Sequence, residues 1–354
     1  MIKGSKNFNR GSLNFCLMSD LDNKYRILSL LSKNEVSSVF LGEYMLTGQY
    51  IIIKLPIPGQ EEIALDRFEK EYNILSKLDH PNIVKVIDFS NSPPYLVLEY
   101  INGENALAAY KNRSVPLDES YALLLQLHDA IKYLHFNSFI HRDIKPSNII
   151  IEKHTKRVVL VDFETARNIN VEDNTRIHSG DFSPPELVTG HSGYFTDTYS
   201  LAKMALFMLS DKTSTEKITL YHRLSSLMEE DYKKRSVYLD GILHVLPKKP
   251  LLYFYHDNIV NRIYSINDEA KIGRGKESEV RIDDINSYVD EVHAFIRKEN
   301  GSYTIYDNKS INGLWLFDKG NFIRIAQHIL RNNDVLSFGW NSRSGPYMIF
   351  RFFV

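Results

Sequence analysis

Short apolar runs separated by turn residues fill the chain from Tyr25 to Tyr100: "KYRILSLL", "SSVFLGEY", "QYIIIKL", "IVKVIDF" and "YLVLEYI". Their β-branched content and spacing predict a small sheet. One insert, "ALDRFEKEYNILSKL", breaks the pattern by placing Leu65, Phe68, Tyr72, Leu75 and Leu78 at helical spacing, with Glu71 beside the packed face. From Glu119 to about Val245 the pattern is helical, in "ESYALLLQLHDAIKYLHF", "DTYSLAKMALFML" and "YHRLSSLMEE", with two short strands, "NIII" and "RVVLVDF", between them. After "PKKP" it turns to strand and stays so, and Asn300-Gly301 supplies a tight hairpin turn. The pattern divides the chain into a loosely ordered 1–20, a β-rich 21–101 with one helix, a mainly helical 102–246, a linker 247–251 and an all-β sandwich 252–354.

Composition narrows the function classes. The 354 residues are 43% apolar, enough for more than one core, and 43 basic side chains face 44 acidic ones. That balance offers no broad basic field for nucleic acid or a membrane surface. Cys16 is the only cysteine, which excludes an intramolecular disulfide and a cysteine-cluster zinc site. No apolar run reaches the roughly 20 residues of a membrane span, and "MIKGSKNFNRGSLNF" lacks the apolar centre of a secretion signal. A cytoplasmic protein without nucleic-acid or membrane partners is expected.

The densest chemistry is "HRDIKPSN", His141 to Asn148, lying between a long helix and a strand. It sets a carboxylate, an ammonium and an amide on one irregular turn, where they can converge as phosphoryl transfer requires. The bland alternative is a polar surface turn. Some way downstream, Asp162 ends the hydrophobic run of "VLVDFETAR".

These residues, in this order, resemble the catalytic loop and metal-binding segment of protein kinases. The resemblance runs from Lys24 to about Val245 and implies a multidomain protein with an α+β bilobal protein-kinase fold. It implies that Asp143 orients the acceptor hydroxyl, that Lys145 steadies the γ-phosphate, and that Asn148 and Asp162 hold Mg2+, with Mn2+ as an alternative. Lys54, paired with Glu71, would contact the α- and β-phosphates of ATP. Val39 would cover the nucleotide, and the backbones of Glu99 and Ile101 would bond adenine behind Leu98. Glu186 would pair with Arg235, and Asp197 would cap the catalytic-loop backbone. Lysine two residues after Asp143, and Ser179 seven before Glu186, match the serine/threonine class, whose substrates are proteins. Thr175 would carry a regulatory phosphate, bound by Arg142.

Two departures stand out. Aligned on Val39, the three positions of the family's glycine-rich phosphate loop are Ser32, Asn34 and Ser37, each bringing a Cβ where the loop is tight. Glu164 replaces the glycine two residues after the metal-binding aspartate; a Cβ resists positive φ by roughly 1–2 kcal/mol, and the carboxylate adds charge beside the metal ligands. A kinase-fold scaffold without catalysis is therefore a second reading, and a small-molecule phosphotransferase a third.

In the C-terminal third, "KIGRGKESEVRIDD", "VHAF", "DNKSINGLW" and "NNDVLSFG" resemble a forkhead-associated domain, a β-sandwich that reads phosphothreonine peptides. The resemblance implies that Arg274 pairs with phosphate, whose oxygens its planar fork matches, that Asn312 bonds the peptide backbone, and that Gly273 and His293 shape the loops. Asp290 stands where the family has a serine, with Glu291 after it, and Ile311 where it has a threonine. A carboxylate about 4 Å from phosphate costs on the order of 4 kcal/mol per charge pair at an effective dielectric near 20. The domain is thus expected to be either a weakened phosphopeptide reader, with a phosphorylated Thr175 segment as one candidate ligand, or a phosphate-independent protein-binding module.

Overall fold

A computed structural model describes residues 20–112, 115–171, 176, 180–209, 214–245, 250–256 and 259–354. The segment 1–19, Thr175, Ser179 and most of the linker 247–251 lie outside the described residues.

Six strands, β1 (Asp20–Leu21), β2 (Tyr25–Lys33), β3 (Ser37–Tyr44), β4 (Gln49–Pro56), β5 (Val86–Asn91) and β6 (Pro94–Glu99), form a sheet in the order β1-β2-β3-β4-β6-β5. Alternation on β4 explains the placement of Lys54: Ile51 and Ile53 enter the small outer core, whereas Ile52 faces the large inner one. Lys54, two residues on, shares the inner face.

Helix α1 (Glu61–Leu75) packs on that face through Ala64, Phe68, Glu71, Ile74 and Leu75. The buried stripe is therefore centred one position away from the Leu65–Tyr72 line read from the sequence; Leu65 and Tyr72 flank it. The shift puts Glu71 fully inside, at 0% exposure. A carboxylate there requires a cation.

The second lobe holds β7 (Gly103–Asn105), α2 (Ala106–Asn112), α3 (Leu117–Phe136), β8 (Phe139–Ile140), β9 (Ile149–Glu152), β10 (Val158–Leu160), β11 (Arg167–Asn168), α4 (Tyr194–Met208) and α5 (Ser214–Leu224). Helix α3 is buried on more than one face. Besides Leu123, Leu124, Leu127, Ile131 and Leu134 it buries Glu119, Gln126 and His128. A helix covered nearly all round lies inside a protein: Glu119 meets Lys156 and His128 meets Asp240 within the lobe, and the C-terminal domain covers the face that carries Gln126.

That domain comprises β12 (Leu251–His256), β13 (Ile259–Ser265), β14 (Glu269–Gly273), β15 (Val280–Arg281), β16 (Ala294–Glu299), β17 (Ser302–Asp307), β18 (Leu314–Asp318), β19 (Asn321–Ile325), β20 (Gln327–Ile329), β21 (Val335–Asn341) and β22 (Gly345–Phe353). Among the described residues they make two sheets, β13-β12-β22-β21-β18-β19 and β15-β14-β16-β17-β20. Ile272, Ile296, Ile305, Leu336, Phe338, Phe350 and Phe352 fill the space between them. Asn300 and Gly301 take φ of 49° and 83°, which closes the β16–β17 hairpin as its turn chemistry requires.

Strand β12 feeds two cores. Leu252 belongs to the sandwich interior, whereas Leu251 and, from β13, Ile263 belong to the core of the second lobe. Period-two alternation places neighbours on opposite faces, and both faces are covered.

Candidate active site

Lys54 is the electrostatic centre of the cleft between the lobes. Its Nζ donates to Glu71 Oε2 at 2.7 Å and Oε1 at 3.0 Å, and lies 3.6 Å from Asp162 Oδ1 and 3.4 Å from Glu164 Oε1. Burial alone would lower the lysine's pKa; Glu71, Asp162 and Glu164 outweigh it and raise it well above the usual range, so the side chain stays an ammonium.

The turn of residues 141–148 is held from behind. Asp197, 0% exposed, accepts the backbone N–H groups of His141 and Arg142, each at 2.9 Å, and bonds His135 Nε2 at 2.9 Å. Burial would raise the pKa of this carboxyl, but the bonds and charges of His135 and His141 hold it below the ordinary carboxylate value. Arg142, in the left-handed region at φ 69° and 4% exposed, donates from Nε to the Thr165 carbonyl at 2.6 Å. It thus holds the start of the segment that leads towards Thr175.

Within the turn, Asp143 Oδ2 accepts from Lys145 Nζ at 2.7 Å and Asn148 Nδ2 at 2.9 Å. Its Oδ1 has no hydrogen-bond partner among the described residues. One oxygen is fixed, and the other is buried and unpartnered. The amide orientation that sends Asn148 Nδ2 to Asp143 turns Oδ1 towards Ser147 Oγ, 3.3 Å away.

Asp162, 41% exposed at its side chain, sits at φ 65°, a conformation aspartate tolerates. Burial opposes its ionisation, yet Lys54, His141 and Lys145 together lower its pKa. A carboxylate and an amide oxygen are the hard donors that a divalent cation shared with phosphates takes. Among the described residues no group of three or more His, Cys, Asp or Glu could hold an ion. Phosphate oxygens would have to complete the coordination. Phe163, fully buried between these elements, meets the His141 ring edge-on at 4.7 Å.

Both departures from the family pattern acquire a physical account. None of Ser32, Asn34 and Ser37 has positive φ, so the turn needs no glycine. Asn34 Oδ1 closes it by accepting the N–H groups of Val36 at 2.9 Å and Ser37 at 2.7 Å. Those amides are thereby occupied by a side chain. At the other departure the left-handed residue is Asp162 and not Glu164, so the expected backbone strain at Glu164 does not arise. Its carboxylate instead bridges Lys54 to Arg67 Nη1 of α1, 3.5 Å away. Sequence reading missed Arg67; its signal was position, one helical turn before Glu71.

Val39 stands opposite Lys54 in the β3–β4 register, and Glu99 ends β6. The Glu99 side chain accepts the Lys85 N–H at 2.9 Å, the Glu99 N–H donates back to the Lys85 carbonyl at 2.9 Å, and Ile101 follows in the segment joining the lobes. Arg235 pairs bidentately with Glu186 at 2.6 and 3.0 Å, both side chains being inaccessible.

In the sandwich, Gly273 is required by close approach: a Cβ there would lie 2.2 Å from the Glu291 carbonyl. His293, 0% exposed, accepts the Asp290 N–H at Nδ1 (3.2 Å) and donates from Nε2 to the Gly313 carbonyl (3.0 Å). Asp290 Oδ2 in turn accepts the Ile311 N–H at 2.8 Å, and Asn312 Nδ2 donates to the Tyr288 carbonyl at 2.9 Å. Asp290 is thus a strut between two loops, and Arg274 is exposed beside them.

Comparison with known proteins agrees with this geometry. The family model "Protein kinase domain" matches residues 25–241, more than half of the chain, and "FHA domain" matches residues 270–339. The chain is 30% identical over 196 residues to the probable serine/threonine-protein kinase KIN1 homolog of Enterocytozoon bieneusi, covering 53% of this chain and 33% of that protein. It is 31% identical over 225 residues to the serine/threonine-protein kinase PknA of a Nostoc species (57% and 40%). It is 28% identical over 221 residues to the probable serine/threonine-protein kinase PknB of Lactococcus lactis (58% and 35%). The aligned part spans less than half the length of each of these relatives. Among the described residues no helix is long and apolar enough to cross a membrane.

Proposed function

The chain belongs to the protein kinase family, and from that premise and the geometry of its cleft we propose that it transfers the γ-phosphoryl group of ATP to serine or threonine hydroxyls of proteins. The observation that carries this reading is Asp143, with one oxygen fixed by Lys145 and Asn148 and the other unpartnered. Asp143 orients the acceptor hydroxyl and takes its proton at Oδ1. Lys145 and Lys54 hold negative charge at the phosphates, Glu71 keeps Lys54 in place, and the backbones of Glu99 and Ile101 seat the adenine. Asn148 and Asp162 would hold Mg2+ or Mn2+, which when bound supplies charge neutralisation between the phosphates. A cytoplasmic setting fits the single cysteine.

Incubation with radiolabelled ATP, the protein itself and a generic basic protein tests the reading. Label on serine or threonine that disappears in Asp143→Ala is expected. No transfer with either metal would favour the scaffold reading, which has its own support in Asn34 occupying the loop amides and Glu164 occupying Lys54. Site mapping of the same reaction tests Thr175 as the modified residue.

For the sandwich we propose reduced-affinity recognition of phosphothreonine in proteins, with Arg274 on the phosphate and Asn312 on the peptide backbone. Exposure of Arg274 supports it, and the Asp290 carboxylate accounts for the reduction. Calorimetry with phosphorylated and unphosphorylated peptides is the check; equal binding would leave a phosphate-independent module.

A further inference from the structure

Gln126, on the face of α3 turned towards the sandwich, is 3% exposed and uses all four hydrogen-bonding positions of its amide. Oε1 accepts from Asn82 Nδ2 at 3.0 Å and from the Val158 N–H at 2.9 Å. Nε2 donates to the Lys156 carbonyl at 3.1 Å and to the Val260 carbonyl of β13 at 2.8 Å. Asn82 is itself fixed, donating from Nδ2 to the Val158 carbonyl at 2.7 Å. One side chain therefore joins the edge strand of the C-terminal domain to the segment that follows α1.

That segment is stitched to the second lobe. The Leu160 N–H donates to the Asn82 carbonyl at 2.9 Å and the Val84 N–H to the Leu160 carbonyl at 3.0 Å. Residues 76–81 connect it to the end of α1, the helix that carries Glu71. Around Gln126 the docking is apolar, through Leu251 and Ile263, with Asn261 Nδ2 donating to the Thr155 carbonyl. β13 is an edge strand, and α3 with the β9–β10 turn covers it, which is how an exposed edge is normally protected.

We infer that the sandwich acts in cis as a brace on the kinase fold, and that Gln126 is the positioning residue through which docking of β13 steadies the Asn82 segment, α1 and so the Lys54–Glu71 pair. The coupling runs through a buried amide with no spare valence: with β13 docked, four bonds fix its orientation, and movement of β13 off α3 removes one of them and admits water beside the bonds to Asn82 and Val158. This goes beyond phosphotransfer and does not depend on it.

Hydrogen–deuterium exchange on the full chain, without nucleotide, is the test. Asn261→Ala weakens docking from the sandwich side and touches nothing near Asn82. Gln126→Glu keeps the acceptor for Asn82 and Val158 but turns a carboxylate oxygen on the Lys156 and Val260 carbonyls. Both should speed exchange at the Val84 amide and along the last turns of α1 roughly tenfold, while the β16–β17 hairpin, remote from the docking edge, keeps its protection. Faster exchange confined to β12, β13 and the facing side of α3, with Val84 and α1 unchanged, would overturn the inference. Should Gln126→Glu unfold the chain, seen as lost protection in β16–β17, Asn261→Ala alone decides between these two outcomes. Because no catalysis is read, failure here and failure of the kinase reading are separate results.

Discussion

Glu164 lies 3.4 Å from Lys54 and 3.5 Å from Arg67, linking the lysine that would meet phosphate to the outer side of the helix that holds it. Lys54 thus faces three carboxylates where the ion pair with Glu71 needs one. Glu164→Gln should tighten ATP binding roughly three- to tenfold, on the order of 1 kcal/mol, because a competitor for the ammonium is removed. Arg67→Ala, which leaves that competitor in place, should not tighten it. Calorimetric titration of both variants checks this, and weaker binding in Glu164→Gln would show that the carboxylate assists the nucleotide.

Asn34 occupies two backbone amides that a phosphate loop would present to its ligand. Asn34→Gly should free them, strengthening nucleotide binding severalfold while lowering stability by about 1 kcal/mol through loss of the side-chain cap and added chain entropy. Affinity and urea unfolding measured on the same protein should move in opposite directions.

The Glu186–Arg235 pair is fully enclosed, and the Arg235 guanidinium also lies 4.7 Å from the centre of the Tyr199 ring. Removing one partner strands the other charge. Glu186→Ala should cost about 3–5 kcal/mol of stability, read as a lower denaturation midpoint. Replacing Glu164, which is partly open to solvent, should cost far less.

Acid should act on Asp197 and His293 at different pH. Asp197 has a folded pKa below its ordinary 3.8; its contribution is complete above that value and is lost as pH falls through the lower one, so the turn from His141 to Asn148 should loosen only below about pH 4. Burial pushes the His293 imidazole below its ordinary 6.5, against the opposing Gly313 carbonyl and Asp290. Its contribution is complete above 6.5 and fades as pH falls below it, because the protonated ring can no longer accept the Asp290 N–H. Chemical shifts of the loops around Asp290 and Gly313 should therefore change in mild acid, before those near Asp197.

Legibility from sequence followed contiguity. The octapeptide from His141 to Asn148 could be read because its chemistry lies on one turn, and Asn300-Gly301 because a turn type dictates its residues. Lys54 and Glu71 were legible as strand end and helix face, although the helix stripe was read one position off, since Leu65 and Tyr72 look more apolar than Ala64 and the buried Glu71. Contacts across the fold were not legible. Asn34 reads as a poor substitute for glycine until its side chain is seen to close the turn, and Glu164 reads as strain until Arg67 stands beside it. Gln126 looks like the polar side of an amphipathic helix. Only the unbroken apolar run "LLYFYH" in β12 hinted that a second surface would cover that sheet.

That run has a consequence for how the chain could be taken apart or rebuilt. Leu251 and Leu252, adjacent in sequence, belong to different interiors, so no cut between the kinase and FHA matches separates two finished surfaces. A transplanted sandwich lacking the β12–β13 hairpin would uncover Gln126 and the apolar surface of the second lobe that Leu251 and Ile263 cover. Heating the intact chain should accordingly give one cooperative transition, and swapping the sandwich should require its first two strands to stay with the kinase lobe.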